Sequence, residues 1–168
     1  MRFLKTFVFS SALLIASGVY GIAAEETFEP AKDNTLYEDP GGSLSNGAGE
    51  SVFAGRTGSR TGGLIRRAVL AFDLSSIPQG ATVTRVELTL QESSTRNNGD
   101  QTVELRRLTK DWGEGNSDAS DNQEGQGEGD GAQAQTDDAT WIHTFFDSEL
   151  WDTQGGDFVD TTSASVTV

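Results

Sequence analysis

The chain contains no cysteine, one histidine and three prolines among its 168 residues. Without cysteine, disulfides are excluded, so the fold must rely on its core or on a bound metal. The single histidine, His143, is not accompanied by a Gly-x-Ser-x-Gly motif, and no zinc motif or phosphate-binding loop is present. The sequence therefore carries none of these catalytic signatures, although the many acids leave a glycosidase carboxylate pair open.

Basic residues are also few: 12 Lys and Arg stand against 26 Asp and Glu, which gives a net charge of −14. Nucleic acid is not expected as a partner, because binding it requires basic patches that displace counterions. An anionic membrane is not expected for the same reason. The simplest interpretation of so much acid is solubility outside the cell.

Residues 1–24 have the features of a secretory signal peptide. Arg2 and Lys5 form a positive start, residues 7–19 form a short apolar core, and Ala23 and Ala24 are small residues before Glu25. The pattern predicts cleavage after Ala24 and a secreted protein, either extracellular or periplasmic, with no membrane contact beyond this peptide. Removing it takes away two bases and no acid, so 10 bases face 26 acids and the net charge becomes −16.

The stretch 68–91 carries the clearest secondary-structure pattern. Val86, Leu88 and Leu90 alternate with polar residues, which is typical of a strand with one face in water. Residues 64–74 are apolar on both parities apart from three charges, which predicts a central strand covered on both faces. Together they predict the sheet around which the domain forms. With no strong helical periodicity after residue 24, we expect one all-β antiparallel domain over residues 25–168. Shorter candidate strands are 34–38, 51–56, 101–108 and 158–168, and a helical turn is predicted at 147–152.

An acidic segment interrupts this strand pattern. Residues 111–138 contain nine acids, six glycines and no base, which predicts a long flexible loop. Within it, carboxylates separated by small polar residues could wrap a structural Ca²⁺, which is the one cofactor we consider. The alternative is a solvated acidic loop. The candidate calcium ligands are Asp111, Glu114, Asp118 and Asp121.

Arginines and tryptophans are the candidate ligand-binding residues. If neighbouring strands place their arginines on one face, a basic strip would bind carboxylates or sulfates of an acidic polysaccharide, with Arg66 and Arg67 as its main residues. The alternative is pairing with nearby acids. Trp112 and Trp151 lie outside the strands and could either stack on sugar rings or pack in the core or against a loop, whereas Trp141 is expected in the core. The six arginines considered are Arg56, Arg60, Arg66, Arg67, Arg106 and Arg107.

Four separate pieces of the chain, in order, resemble a known family. They are residues 33–38, 54–57, 72–90 with its Phe-Asp-Leu-Ser-Ser-Ile-Pro start, and the Asp-Trp-Gly-Glu-Gly at 111–115. This pattern resembles the DNRLRE-type modules of secreted bacterial proteins, which are related to family-96 carbohydrate-binding modules, and it covers the chain from Pro30 onward. The resemblance implies a β-sandwich of jelly-roll type and contact with extracellular polysaccharide.

The resemblance also predicts that the C-terminal strands of the family are missing. Similar proteins continue for several dozen residues beyond the position of Val168, so early strands would lose partners and leave open edges. We therefore expect self-association through those edges. The alternative is a smaller sandwich that closes without them.

We expect a non-catalytic secreted module that binds extracellular or cell-surface polysaccharide, with an anionic, alginate-like polymer as the main candidate. Two alternatives stay open. One is a structural or adhesive surface module without sugar binding, and the other is a non-catalytic fragment of a polysaccharide-degrading enzyme.

Overall fold

In this computed structural model, the described residues are 2–14, 23–95, 99–120 and 127–168, with the backbone alone for 3–14 and 23. Within these ranges the fold is all-β and every strand pairing is antiparallel, as the sequence predicts. Two short 3₁₀ turns occur at Ser59–Thr61 and Glu128–Asp130. The strands are β1 Arg2–Leu14, β2 Ala23–Phe28, β3 Pro30–Tyr37, β4 Leu44–Ser45, β5 Ser51–Phe53, β6 Gly55–Arg56, β7 Ile65–Phe72, β8 Thr82–Ser94, β9 Thr102–Leu108, β10 Ala132–Gln133, β11 His143–Phe145, β12 Glu149–Leu150 and β13 Phe158–Thr167.

Strand β7 is the centre of a three-stranded sheet in the order β3-β7-β6. Its pairing with β3 runs from Pro30 opposite Phe72 to Tyr37 opposite Arg66. The central position agrees with the sequence pattern, because a strand with neighbours on both edges and cover on both faces is apolar on both parities.

Strand β8 belongs to a different sheet. It pairs with β1 from Arg2 opposite Ser94 to Leu14 opposite Thr82, and the other edge of β1 pairs with β5 and β2. The alternation pattern predicts that β7 and β8 build one sheet, but within the described residues they pair with different strands. The backbone of the predicted signal peptide is thus part of the sheet, and its cleavage stays a prediction.

The two faces of β7 contact two different hydrophobic clusters. The larger cluster contains Leu36, Val69, Ala139 and all three tryptophans, with Ile65, Ala71, Leu108 and Ile142 packed against it. The smaller cluster surrounds Val52 with Ala54, Ala68, Leu70 and Leu90. Odd-numbered β7 residues face the first cluster and even-numbered residues face the second, as the two-residue period of a strand requires.

The described parts of the acidic segment are packed against the sheet. Trp112, Ser117, Ala119 and Asp138 are buried, and the backbone N–H of Ala139 donates to the carbonyl of Gly113 at 2.8 Å. Such contacts differ from those expected of a flexible loop, and they arise because small and uncharged residues alternate with the acids. Residues 121–126 lie outside the described residues.

The helical turn predicted at residues 147–152 is wrong. Asp147 has a positive φ of 60°, and the chain there reverses from β11 into β12 instead of continuing as a helix. A left-handed residue breaks the helical run of dihedrals and suits a tight turn between strands. Among the described residues, no helix has the length and apolar character needed to cross a membrane.

Candidate functional site

Arg67 is held between two aromatic rings at the end of the larger core cluster. Its guanidinium carbon lies 5.0 Å from the ring centre of Trp141 and 5.0 Å from that of Phe158. Its Nη1 donates a 2.6 Å hydrogen bond to the carbonyl of Gly155. A half-buried cation in this position is attracted by both ring faces, so the side chain is fixed before any ligand arrives.

The local sequence explains this placement. Arg67 is on the odd parity of β7, opposite Leu36, and therefore points toward the cluster that contains Trp141. Gly155 has a φ of +86°, and a Cβ there would meet Nη1 of Arg67 at 2.6 Å and the Trp141 ring at 2.7 Å. Glycine is thus required for two reasons, its left-handed backbone and the close approach of the guanidinium.

Phe158 also contacts a second arginine, from a different strand. The guanidinium carbon of Arg106, on β9, lies 5.7 Å from the Phe158 ring centre. The same guanidinium donates to Oε2 of Glu104 through Nε at 3.1 Å and Nη2 at 2.9 Å. Strands β9 and β13 pair directly, with Phe158 opposite Leu108, so the sheet register brings these groups together.

The third arginine of this surface is Arg56 on the neighbouring strand β6. Burial lowers the pKa of Arg67, Glu38 raises it, and the positive charges of Arg56 and Arg106 lower it further. The charges of Arg56 and Arg106 therefore both act on Arg67 through space. Arg56 is exposed and donates to the carbonyl of Gly63 at 3.1 Å. We call this surface the arginine face, and it consists of Arg56, Arg67, Arg106, Trp141 and Phe158.

Arg66, the other arginine predicted to bind ligand, is on the opposite side of the sheet. It is 8% exposed and its guanidinium carbon lies 4.8 Å from the Tyr37 ring centre. It donates to the backbone carbonyls of Gly129 at 3.3 Å and Ile65 at 3.0 Å. Because adjacent strand residues point to opposite faces, Arg66 and Arg67 do not form one strip, and Arg66 is buried in an internal contact.

The tryptophans predicted as stacking residues are in the core. Trp112 is 3% exposed and Trp151 is 6% exposed. The indole Nε1 of Trp151 donates to the carbonyl of Thr140 at 3.0 Å, and Nζ of Lys32 lies 5.0 Å from the Trp112 ring centre. Both residues are therefore largely covered by protein, and stacking of a sugar on either ring stays a prediction. Trp141 is in the core, as expected.

The three candidate calcium ligands that lie within the described residues each have a different partner. Asp111 accepts a 2.6 Å bond from Lys32, which lowers the pKa of its carboxyl, and Glu114 accepts from the backbone N–H of Asp33 at 2.9 Å. Asp118 accepts from the N–H and the hydroxyl of Ser120. No group of three acids or histidines converges within the described ranges, and Asp121 lies outside them. Calcium binding stays a prediction, which a thermal-unfolding titration with Ca²⁺ would test.

Sequence reasoning missed Phe158 and Gly155 as parts of the arginine face. Phe158 begins the last strand, and nothing in its local pattern shows that β13 pairs with β9. The Gly155-Gly156 pair indicates a turn but does not show that an arginine approaches it. His143, the one histidine, has its Nδ1 3.0 Å from the hydroxyl of Thr140 and its ring edge-on to Phe146.

Comparison of the chain with protein-family models, with curated proteins and with solved structures found no match in any of the three. The described residues of this acidic chain form an all-β fold in which Arg67 contacts the rings of Trp141 and Phe158, and Arg106 contacts the ring of Phe158.

Proposed function

We propose that the arginine face binds the carboxylate or sulfate groups of an anionic polysaccharide, alginate-like in its charge, and that the protein is a non-catalytic secreted module. The single observation that supports this most is the fixed position of Arg67 between Trp141 and Phe158, with Arg106 on the same Phe158 ring. A surface fixed in advance loses little conformational entropy when it binds a ligand.

The charge pattern favours an anionic partner. In a chain with a net charge of −14, the fields of Arg56 and Arg106 both reach Arg67. A guanidinium carries five N–H donors, so Arg56 and Arg106 keep donors beyond the contacts described above. Forked donors match carboxylate and sulfate oxygens, and the half-buried Phe158 ring adds apolar contact for the C–H groups of a sugar.

The proposed fold is an antiparallel β-sandwich of jelly-roll type, as the similarity to DNRLRE-type modules implies. Pairing of strands far apart in sequence, such as β9 with β13, is in keeping with Greek-key and jelly-roll arrangements. Secretion through removal of residues 1–24 is part of the same proposal, and N-terminal sequencing of the exported protein is expected to begin at Glu25.

Affinity electrophoresis tests the binding proposal. Native gels cast with alginate or polygalacturonate are expected to retard the exported protein, whereas neutral xylan is not. Arg106→Gln is expected to lower the retardation, because it removes one charge from the arginine face. Arg107→Gln is the matched control, since it removes the same charge from the next, exposed residue of β9, which has the opposite parity.

The outcomes separate the mechanisms. Retardation through arginines should fade as salt increases, because the contact is electrostatic. Equal loss in Arg106→Gln and Arg107→Gln would mean that only net charge matters, and the proposed site would be rejected. Absence of retardation by any polymer would favour a structural or adhesive module instead.

A further inference from the structure

Strand β8 has one strand partner within the described residues, and that partner is β1. The pairing runs from Ser94 opposite Arg2 to Thr82 opposite Leu14, with three register shifts along it. On its other side β1 pairs with β5 and β2, so β1 connects β8 to them. The position of β8 in its sheet therefore depends on a segment that the sequence marks as a cleaved signal peptide.

Removal of β1 would leave a long edge with backbone N–H and C=O groups unpaired. Even with β1 present, Val83 is 44% exposed and Val86 is 58% exposed. A long strand with a free edge and exposed valines is a template for pairing with another chain. A single extended strand of this kind is not stable alone in water, so it requires a new neighbour.

The charges of β8 show which neighbour fits. Arg85 and Glu87 flank Val86, and within the strand they already form an ion pair with each other. If two β8 strands align antiparallel with Val86 opposite Val86, Arg85 of each copy lies opposite Glu87 of the other. The same alignment places Thr84 opposite Leu88. Opposite charges directly across a strand pair are stabilising, and a two-fold axis makes each favourable pair occur twice.

We infer that the exported chain forms a two-fold dimer in which β8 of one copy pairs antiparallel with β8 of the other, centred on Val86. The inference rests on removal of the signal peptide and is independent of polysaccharide binding. The strand that replaces β1 beside β8 comes from a second copy of the chain, because two β8 strands aligned about Val86 place opposite charges across from each other. The competing event is closure within one chain, in which β8 moves onto β5, now separated from it by the first residues of β1.

The first experiment compares two natural forms of the chain by size-exclusion chromatography with light scattering. The exported product, collected from culture medium, is expected to be dimeric with a concentration-dependent dissociation. The full chain, synthesised in a cell-free system without signal peptidase, is expected to be monomeric, because the proposed dimer uses the edge of β8 that β1 covers and not the other edge, which has no strand partner within the described residues even when β1 is present. Both are measured at moderate salt, since a net charge of −16 on each exported copy opposes association.

The second experiment exchanges the charges. Arg85→Glu places like charges opposite each other at two positions of the dimer, and so does Glu87→Arg. Each variant alone is expected to weaken self-association by roughly tenfold. When the two variants are mixed, every facing pair is again of opposite sign, so a heterodimer is expected. The double exchange in one chain is expected to restore the homodimer.

Val86→Lys and Val166→Lys form a matched pair for the dimer axis. Val86 is 58% exposed and Val166 is 57% exposed, so each substitution replaces a valine of nearly the same exposure with lysine. Only Val86→Lys places two like charges together on the axis, and only this variant is expected to shift the exported chain to monomer.

Three results would overturn the inference. A monomer at all concentrations would indicate closure onto β5. A dimer unaffected by the charge exchanges or by Val86→Lys would use another surface. A stable complex with a different polypeptide, in place of the self-dimer, would show that β8 accepts a foreign strand.

Discussion

The side-chain amide of Asn34 donates a 2.8 Å hydrogen bond to the backbone carbonyl of Glu114, across 80 positions of the sequence. Asn34 also accepts bonds from the N–H groups of Thr35 and Asn46 and exchanges them with the hydroxyl of Ser45. It is fully buried. One side chain thus attaches the acidic segment to strands β3 and β4.

Replacing Asn34 with alanine is expected to destabilise the fold by about 3 kcal/mol, because several buried donors and acceptors lose their partner at once. Chemical denaturation of the exported protein measures this loss. Asn116→Ala, at an exposed asparagine of the same segment, is the control and is expected to change stability by less than about 0.5 kcal/mol. Similar values for the two variants would show that the Asn34 network does not hold the segment.

Gly155 and Gly80 allow backbone strain to be separated from steric overlap. Their φ values are +86° and +87°, but a Cβ at Gly80 meets nothing within 4 Å, whereas one at Gly155 meets Arg67 and Trp141. Gly80→Ala is expected to cost about 1 kcal/mol from the left-handed backbone alone. Gly155→Ala is expected to cost roughly 1–3 kcal/mol more, since the core must shift.

Gly155→Ala should also reduce the retardation of the protein by alginate more than Gly80→Ala does. Gly155→Ala displaces the guanidinium of Arg67 and is expected to weaken retardation, whereas Gly80→Ala leaves the arginine face intact. A Gly155→Ala protein that unfolds as readily as Gly80→Ala would contradict the close approach seen at this glycine.

The emission of the three tryptophans is expected to be that of buried indoles. Their exposures are 3%, 7% and 6% for Trp112, Trp141 and Trp151. Iodide should therefore quench the folded protein weakly and the unfolded protein strongly, and alginate should leave the emission maximum unchanged. A polymer-induced shift that disappears in Trp151→Phe would return Trp151 to the binding site.

Asp138 gives the stability a pH dependence of known sign. Burial raises the pKa of this carboxyl, although the backbone N–H groups of Gln135 and Ser117 hydrogen bond to it. Below the unfolded pKa, about 3.9, the group is protonated in both states. As pH rises, the unfolded chain ionises first, so the stability that the protonated group contributes is lost as pH passes the folded pKa.

The free energy of unfolding of the wild type, relative to Asp138→Asn, is therefore expected to fall as pH rises from about 4. Urea unfolding at a series of pH values measures it. Asp137→Asn, at the exposed preceding residue, is the control for loss of one negative charge. A difference that grows with pH would show that the ionised carboxylate is the more favourable form in the fold.

Strand positions were predictable because they depend on local alternation. Residues 64–74 and 82–91 indicate β7 and β8 directly, and β9 and β13 fall where the pattern places them. Pairing was not predictable, because the choice of β1 for β8 and of β13 for β9 depends on contacts between distant segments. The arginine face depends on those pairings, so Arg67 was expected to take part while Phe158 was not.

The sequence left open whether Trp112 and Trp151 are buried, for a related reason. An indole next to acids and glycines has the same sequence context whether it packs inward or faces a ligand. The neighbours that bury these rings, such as Leu36 and Ala139, come from other parts of the chain.

Arg66 and Arg67 contact opposite sides of the same sheet, over Tyr37 and Trp141 respectively. A shift of β7 by one residue would exchange the two sides, leaving each guanidinium without its ring and carbonyl partners and placing both clusters against the wrong parity. A folding intermediate in which β7 is misaligned with β3 would therefore lose stabilising contacts on both faces of the sheet. Over evolutionary time, β7 should accept exchanges of one apolar residue for another far more readily than the insertion or deletion of a single residue.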